Sequence, residues 1–276
     1  MLSFKARALL LTLVTLFFAL GIWELSTGSL AKKAPTDEYE ALVAGADETA
    51  GIPPPSKVIA LAIEQLSDPF YDRGPNDKGI GTQLAYSLAR VLTGYVAALL
   101  VAIPSGFIIG MSPLMMRAMN PFIQLLKPIS PLAWMPLALF VIQDSVASAV
   151  FVIFICSLWP TLINTAFGVS SVSRDFLNVA KTLELNPWRT AFTVILPAAA
   201  PTILTGMRIS IGISWLVIVA AEMLVGGTGI GYYVWNEWNN LDLAAVIFSI
   251  LMIGLVGMFL DWIFAKASSA VAFDGA

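Results

Sequence analysis

Long apolar runs separated by short polar stretches dominate this chain. A helix that crosses a bilayer needs about 20 mostly apolar residues. Six runs are long enough, at roughly residues 7–24, 87–111, 121–142, 147–169, 203–225 and 244–265. We therefore predict an all-α integral membrane protein with about six transmembrane helices. The first run follows Lys5 and Arg7 and is long for the apolar core of a signal peptide, so we expect an uncleaved anchor.

The distribution of Lys and Arg between the short loops predicts the orientation, because cytoplasmic loops are enriched in these residues. One set of loops and flanks carries the basic residues Lys5, Arg7, Arg117, Arg174, Lys181, Arg189 and Lys266. The short loops of the other set, around Asp144 and at residues 226–242, contain no Lys or Arg. Both termini are therefore predicted to be cytoplasmic.

Residues 26–86 form a long connection that this orientation places outside the membrane. The segment is net acidic, with DEYE at residues 37–40, and it is rich in Pro and Gly. Within it, SKVIALAIEQL predicts a short amphipathic helix with Ser56 as its N-cap. Two interpretations of this helix remain open: it lies on the outer membrane surface, or it forms a collar that helps to dock an external partner.

Two patterns inside the apolar runs indicate close packing and irregular backbone. Ala98, Ala102, Gly106 and Gly110 recur at four-residue spacing, and small residues on one face let helices approach closely. Packing within the chain and a subunit interface are both open explanations. The sequence KPISPLAWMP in the third run predicts a broken helix, since each proline removes a backbone donor. Irregular backbone at membrane depth is tolerated where protein buries it or it lines a cavity, so this run is a candidate pathway wall.

Composition excludes several classes of function. The chain is 58% hydrophobic and 12% charged, against about 45–50% and about 25% in soluble domains. It contains no histidine, which excludes Ser-His and Cys-His catalysis and HExxH zinc sites, and no paired catalytic carboxylates are recognisable. Its net charge of −3 offers no basic face for nucleic acid, and we expect no metal site. The single cysteine, Cys156, is predicted to be a small buried hydrophobe.

A glycine-rich stretch, GGTGIG, begins at Gly226. It lacks the Lys-Ser/Thr ending of a phosphate-binding P-loop and follows an apolar run instead of a strand. We predict a tight external turn there, and no nucleotide-binding motif in the chain.

Charged residues inside the apolar runs need an explanation, because each costs about 2.5–3.5 kcal/mol at the centre of an inserted helix. Arg90, Arg208 and Asp261 lie near predicted helix ends, from which they can extend to the membrane interface. Lys127 and Glu222 lie deeper. For these two residues a structural ion pair and a contact with substrate are both open.

The polar connection between the fourth and fifth runs contains NVAKTLELNPWRTAFTVILP, starting at Asn178. It predicts a short helix, a turn at Asn186 and Pro187, a second short helix and a stop at Pro197. The sequence resembles the EAA loop of ABC-importer permeases, whose pattern is E-A-A, three residues, Gly, nine residues and I-x-L-P. Residues 178–180 occupy the E-A-A positions, Glu184 the glycine position and residues 194–197 the I-x-L-P end. The spacing agrees, while several identities depart from the pattern.

Further blocks resemble, in order over residues 51–265, the permeases that serve small oxyanions and sulfonates. They are GIPPPSKVIALAIEQL, SLARVLTGYVAALLVAIPSGFIIGMSP, LKPISPLAWMPLALF and AAEMLVGGTGIGY. DPFYDRGPNDKGIG and VGGTGIGYYVWNEWNN are similar to the cyanobacterial nitrate and bicarbonate branch of this group, and most of all to its nitrate permeases.

The resemblance implies a type I ABC-importer permease with a methionine-importer-like core in the inner (plasma) membrane. Its implied cargo is a small inorganic anion, nitrate (with nitrite) first and bicarbonate as the alternative. Its implied partners are a second permease copy, two cytoplasmic ATP-binding subunits and an external substrate-binding protein. ATP and Mg²⁺ would be bound by those partners, with no cofactor on this chain. A stand-alone secondary anion transporter or channel is the rival class, although the chain shows no internal inverted repeat.

The resemblance also divides the chain. Residues 1–25 would be the N-terminal transmembrane helix, 26–86 the external segment, 87–265 the permease core with a coupling loop at 171–202, and 266–276 a cytoplasmic tail. The loop residues implied to contact the ATPase are Ala180, Leu183, Glu184, Leu185, Trp188 and Arg189.

Pathway residues follow from spacing and from the chemistry of the cargo. A weakly hydrated anion needs modest positive potential and a few donors, since a strongly cationic site would hold it too tightly. If helical geometry persists through the proline-rich run, one face carries Gln124, Lys127, Ser130 and Trp134. Arg208, at the predicted cytoplasmic end of the fifth run, is expected to attract the anion.

Overall fold

A computed structural model describes residues 4–30, 52–74 and 76–271, and in these ranges the chain is helical apart from loops and an isolated bridge between Asp72 and Lys78. In chain order the helices are α1 (Phe4–Leu30), α2 (Pro55–Ser67), α3 (Ile80–Met111), α4 (Pro113–Leu126), α5 (Pro131–Ile142), α6 (Ser145–Ser170), α7 (Arg174–Thr182), α8 (Pro187–Thr190), a π-helical segment (Ala191–Ile195), α9 (Leu196–Val225), α10 (Ile230–Asn239) and α11 (Leu243–Val271). Two compact units result, one from the described residues of Met1–Gly81 with Tyr233–Met252, the other from Thr82–Tyr232 with those of Ile253–Ala276.

The membrane-spanning helices agree with the apolar runs. Within the described residues five helical stretches are long and apolar enough to cross a bilayer: Ala6–Thr27, Ile80–Met111, Ser145–Ser170, Pro187–Val225 and Leu243–Ser268. A sixth crossing requires α4 and α5 together, and their axes bend by 90° at the break. The all-α membrane fold and the broken third run are therefore confirmed.

Several helices begin or end outside the predicted apolar runs. Helix α1 continues to Leu30, α3 begins at Ile80, and α9 begins at Leu196. The physical reason is that hydropathy marks the most apolar part of a helix, while the backbone hydrogen bonds continue through small and less hydrophobic residues at its ends.

In the larger unit α3 packs closely against α6 through its small residues. Ala98 and Ala102 are completely buried. A Cβ atom on Gly106 would lie 2.7 Å from the carbonyl oxygen of Leu162, closer than real Cβ contacts. The stripe of small residues is therefore used for helix packing within the chain, as one of the two predicted alternatives states.

Helices α6 and α9 pack through buried hydroxyl groups. Thr161 Oγ1 and Ser210 Oγ lie 2.7 Å apart, and Ser210 Oγ also donates to the carbonyl of Ser157. A Cβ on Gly206 would lie 2.6 Å from Asn164 Cβ, so the two backbones are close at this point. Interhelical hydrogen bonds and small contact residues are the usual means of joining helices inside a membrane.

In the smaller unit α2 is hydrogen-bonded to α1. Helix α2 begins at Pro55, with Pro54 as its N-cap, so the prediction that Ser56 caps the helix was wrong. Proline suits the first helical position because its fixed φ matches the helix and its missing donor has no intrahelical partner there. Ser56 instead donates from its backbone N and its Oγ to the Glu24 carboxylate, at 3.2 and 3.0 Å. The acidic stretch at residues 37–40 lies outside the described residues.

Candidate functional site

The predicted coupling loop begins with a helix that ends in a left-handed turn. Ser173 Oγ accepts from Asp175 N at the start of α7. At its end Glu184 N donates to Lys181 O at 3.0 Å and Leu185 N to Ala180 O at 3.1 Å. This pair of bonds is the Schellman motif, which requires a left-handed residue after the helix, usually glycine. Glu184 has φ 50°, so the glycine position of the family motif keeps the glycine-like backbone while carrying a carboxylate.

The second half of the loop is continuous with the fifth span. Asn186 Oδ1 accepts from Arg189 N at 2.7 Å and caps α8 at Pro187. The π-helical segment Ala191–Ile195 then leads directly into α9. The predicted helix stop at Pro197 was therefore wrong. Pro197 lies in the first turn of α9, just after the π turn changes the hydrogen-bond register, and its missing donor does not end the helix.

The loop exposes an apolar surface next to charged residues. Leu183, Trp188 and Phe192 are each more than 60% exposed, and the Trp188 and Phe192 rings stack with centroids 6.3 Å apart. Glu184 and Arg189 are also exposed. We call these five residues, with Phe176 and Val179 of α7, the coupling surface. Exposed apolar patches with a polar rim are typical of sites that contact a partner.

The predicted loop residues divide by exposure. Leu183, Glu184, Trp188 and Arg189 lie on the coupling surface, Leu185 is half-buried, and Ala180 is 1% exposed, so its side chain is not available to a partner. Sequence reasoning missed Phe176, Val179 and Phe192, which are all more than half exposed. Residues 176, 179 and 183 recur at helical spacings of three and four, so this pattern could have identified the face of α7.

The break between α4 and α5 borders a cavity of about 160 Å³. Its lining includes Lys127, Trp134, Cys156, Trp159, Pro160 and Ile213. Two of the predicted pathway residues, Lys127 and Trp134, therefore share one space. Gln124 is exposed on α4, and Ser130 Oγ accepts from Leu132 N at the start of α5. The condition for a common helical face, that helical geometry persists, is not met, because α4 ends at Leu126 and the chain turns by 90° before α5.

Arg208 does not lie at a helix end. It is about 18 Å inside α9 from Leu196, at about 1.5 Å per residue, because α9 starts earlier than the apolar run. Its Nε and Nη2 donate to the two carboxylate oxygens of Asp261, each at 2.6 Å. This bidentate geometry is that of a strong charge-assisted pair. The two residues, each predicted to lie near a helix end, are therefore paired with one another between α9 and α11.

Glu222 forms a structural ion pair. Its side chain is 2% exposed, and Oε1 lies 2.6 Å from Arg90 Nη1. The carboxylate also accepts from Ser87 Oγ at 2.8–2.9 Å and from Gly231 N at 3.0 Å. Buried charges are tolerated when paired and hydrogen-bonded in this way. Because Ser87 and Glu222 are separated by more than 130 residues, no local sequence signal could reveal the contact.

The glycine stretch after α9 is the predicted tight turn. Gly226 and Gly227 have φ of 78° and 90°, which favours glycine. A Cβ on Gly229 would collide with the Glu222 carboxylate, and Gly229 N donates to Gln83 Oε1 at 2.6 Å. The turn therefore closes over the Arg90–Glu222 pair. In the part of the chain that the structure describes, no cluster of His, Cys, Asp or Glu has a metal-binding arrangement.

Comparison with known proteins identifies the family. Residues 98–271 match the profile of the binding-protein-dependent transport system inner membrane component. The chain belongs to this family of ABC-importer permeases. Such permeases work with ATPase and substrate-binding partners, so the chain is a multi-pass inner-membrane transport subunit rather than an enzyme. The rival class of stand-alone transporter is thereby set aside.

Curated relatives and a solved structure extend this result. The chain is 43% identical to the nitrate import permease NrtB of Synechocystis, covering 81% of this chain and 82% of the relative. It is 40% identical to NrtB of Leptolyngbya laminosa, covering 95% and 88%. The bicarbonate transport system permease CmpB of Synechocystis is 42% identical, covering 76% of each chain. A chain of the MetNI methionine ABC transporter has a TM-score of 0.61 at 12% identity, covering 69% of this chain and 94% of that one. The predicted methionine-importer-like core is confirmed as a fold.

Proposed function

We propose that this chain is the permease subunit of an ATP-driven importer that moves a small inorganic anion, nitrate (with nitrite), into the cell. The observation that carries the proposal is the 43% identity with a nitrate import permease over about four-fifths of both chains. Bicarbonate is the second candidate, supported by the 42% identity with a bicarbonate permease over a shorter share of the chain.

The charges inside the membrane suit a weakly hydrated monovalent anion. Arg90 and Arg208 are each paired with a carboxylate, whereas among the described residues no ion pair involves Lys127. An ammonium group without a carboxylate partner provides modest positive potential. Modest binding allows an ion to leave again, which transport requires.

The working assembly in this proposal contains two copies of the permease, two cytoplasmic ATPase subunits and an external binding protein. ATP and Mg²⁺ bind to the ATPase subunits. The basic residues of the coupling loop, Arg174, Lys181 and Arg189, support a cytoplasmic position for that loop and for both termini. Choice between nitrate and bicarbonate lies mainly with the external binding protein.

The coupling surface is the proposed contact with the ATPase. Leu183, Trp188 and Phe192 supply apolar area, and Glu184 and Arg189 supply charges of both signs at its edge. Aromatic side chains and arginine are enriched among residues that dominate binding energy at interfaces. ATP binding closes the ATPase pair, brings two coupling surfaces together and opens the pathway outward, and hydrolysis returns it inward.

An uptake assay tests the cargo. The complete complex with its binding protein is reconstituted into vesicles, and uptake of labelled nitrate and labelled bicarbonate is measured with and without ATP. We expect ATP-dependent nitrate uptake that exceeds bicarbonate uptake. ATP-dependent uptake of bicarbonate with none of nitrate would reverse the assignment, and nitrate uptake independent of ATP would remove it.

A substitution tests the coupling surface. Leu183→Asp places a charge on an exposed apolar contact without disturbing a buried side chain, so the permease should still insert. We expect loss of ATPase co-purification or of transport-coupled hydrolysis. Leu66→Asp on α2, which is similarly exposed but predicted to be external, is the matched control. Normal coupled hydrolysis in the Leu183→Asp complex would show that the surface lies elsewhere.

A further inference from the structure

The cavity beside the α4–α5 break lies near the middle of the membrane. Cys156 is about 17 Å along α6 from Ser145, and Ile213 is about 18 Å from the Val225 end of α9. These two helix ends lie together, since Ser145 and Val225 line one small pocket. The hydrocarbon core of a bilayer is about 30 Å thick, so both cavity-lining residues are close to its centre.

The polar groups of this cavity favour an anion. Lys127 contributes an ammonium group, and no carboxylate is present among the lining residues. Trp134 Nε1 is buried and has no hydrogen-bond partner among the described residues. Buried indole N–H groups normally have a partner, so this donor is unused, but it is shielded from the open space of the cavity and does not contact an ion there. An ammonium group at an otherwise apolar cavity, without a competing acid, is complementary to a small anion.

The remaining walls restrict which anion fits. They are apolar, and include Trp159, Pro160 and Ile213. An anion that enters must exchange part of its hydration shell for the Lys127 ammonium and an apolar wall, and weakly hydrated monovalent oxyanions do this at least cost. The volume of about 160 Å³ is about ten times the 10–15 Å³ that one water needs, so an oxyanion of four atoms fits with some water.

We propose that this cavity is a transient binding site for one small monovalent oxyanion, held by the Lys127 ammonium at mid-membrane depth. The inference rests on the proposed function as an anion importer and names the site at which the anion pauses. Gln124, Ser130 and Arg208 are outside this site, because they do not line the cavity. A cation at the bilayer centre is otherwise costly, and contact between Lys127 and the transported anion offsets this cost.

The single native cysteine allows a direct test, because Cys156 lines the same cavity. The purified complex is treated during ATP turnover with methyl methanethiosulfonate, which is small and neutral, and modification of Cys156 is followed by mass spectrometry. Nitrate should slow the modification in a saturable manner, while sulfate at equal ionic strength should not. Lys127→Gln should raise the nitrate concentration for half-protection by about tenfold or more, because a favourable charge contact is lost.

A matched variant separates the site from general effects. Arg117→Gln removes an exposed positive charge from α4, the helix that precedes Lys127, at a position outside the cavity, and should leave protection unchanged. An unreactive Cys156 in the wild-type complex would contradict the proposal, since an ion site must be open to water.

The outcomes distinguish this inference from the proposed function. Nitrate uptake by the complex, together with Cys156 modification that nitrate does not affect, would overturn the cavity site and leave the importer intact. Protection by bicarbonate and not by nitrate would keep the site and change the cargo. A Lys127→Gln complex that assembles, hydrolyses ATP and imports nitrate with wild-type KM and rate would also overturn the site.

Discussion

Glu184 gives a test of how the coupling loop is built. It is the left-handed residue of the Schellman motif that ends α7, with φ 50°, where glycine is normally preferred. Replacing it with glycine removes the contact between Cβ and backbone that disfavours this conformation. We expect Glu184→Gly to stabilise the turn, and Glu184→Ala to leave the turn unchanged, since alanine keeps Cβ and loses only the carboxylate.

Two opposing effects determine the size of the change. The left-handed conformation costs a non-glycine residue about 1–2 kcal/mol. Glycine also lowers the stability of the closed turn by about 0.5–1 kcal/mol, because it has more backbone freedom in the opened turn. Near the middle of both ranges the difference is about 0.5–1 kcal/mol in favour of Glu184→Gly. This corresponds to a decrease of roughly two- to fivefold in the population of the opened turn.

Amide hydrogen exchange measures this population. The Leu185 amide is bonded to Ala180 O and the Leu183 amide to Val179 O, and both bonds break when the turn opens. Their exchange should slow by roughly two- to fivefold in Glu184→Gly and stay near wild type in Glu184→Ala, after correction for intrinsic rates. Faster exchange at both amides in Glu184→Gly would refute the assignment of strain to Glu184. ATPase binding by the two variants then distinguishes the effect of the backbone from the effect of the charge. Both variants lack the carboxylate, so a binding defect that they share is due to the lost charge, and a difference between them is due to the backbone.

Three further predictions concern the rest of the molecule. Gly229→Ala places a methyl group against a buried carboxylate, so the free energy of unfolding should fall by about 1–3 kcal/mol and the thermal midpoint should fall with it. An unchanged midpoint would contradict the packing described. Arg208→Gln and Asp261→Asn should each reduce the amount of folded permease more than the double variant does. Each single change leaves one unpaired charge in a span, whereas the double variant leaves none. A double variant less stable than both single variants would argue against the pair. In intact cells an impermeant thiol reagent should label Asn239→Cys and not Thr182→Cys, and labelling of the latter would reverse the topology.

The sequence was sufficient for the spans because hydrophobicity over about 20 residues is a strong and local signal. The prolines between residues 128 and 136 also predicted a broken helix correctly. They did not give the angle of the break, which depends on how the two pieces pack. That angle is what separates Gln124 and Ser130 from the cavity that Lys127 and Trp134 share.

Other features depend on contacts that sequence patterns do not reveal. The Glu222 carboxylate meets Ser87 and Arg90 across more than 130 residues, and Arg208 meets Asp261 across more than 50. The π-helical segment before α9 is equally hidden, since Pro197 alone predicts a stop. The register change that allows the helix to continue is a property of the folded backbone.

The continuity of residues Pro187–Val225 connects the two proposed sites. This helical stretch carries Trp188 of the coupling surface at one end, Ile213 of the cavity wall in the middle and Glu222 of the buried ion pair near the other end. A helix with an unbroken backbone transmits a displacement at its end better than a loop does. Hydroxyl contacts join the middle of the stretch to α6. A displacement at Trp188 must therefore either move α9 together with α6 or bend the stretch at the π-helical segment, which is its least regular part. In the proposed mechanism the ATPase therefore acts on the cavity wall through this helix, and the π segment is the place where the two conformations are expected to differ most.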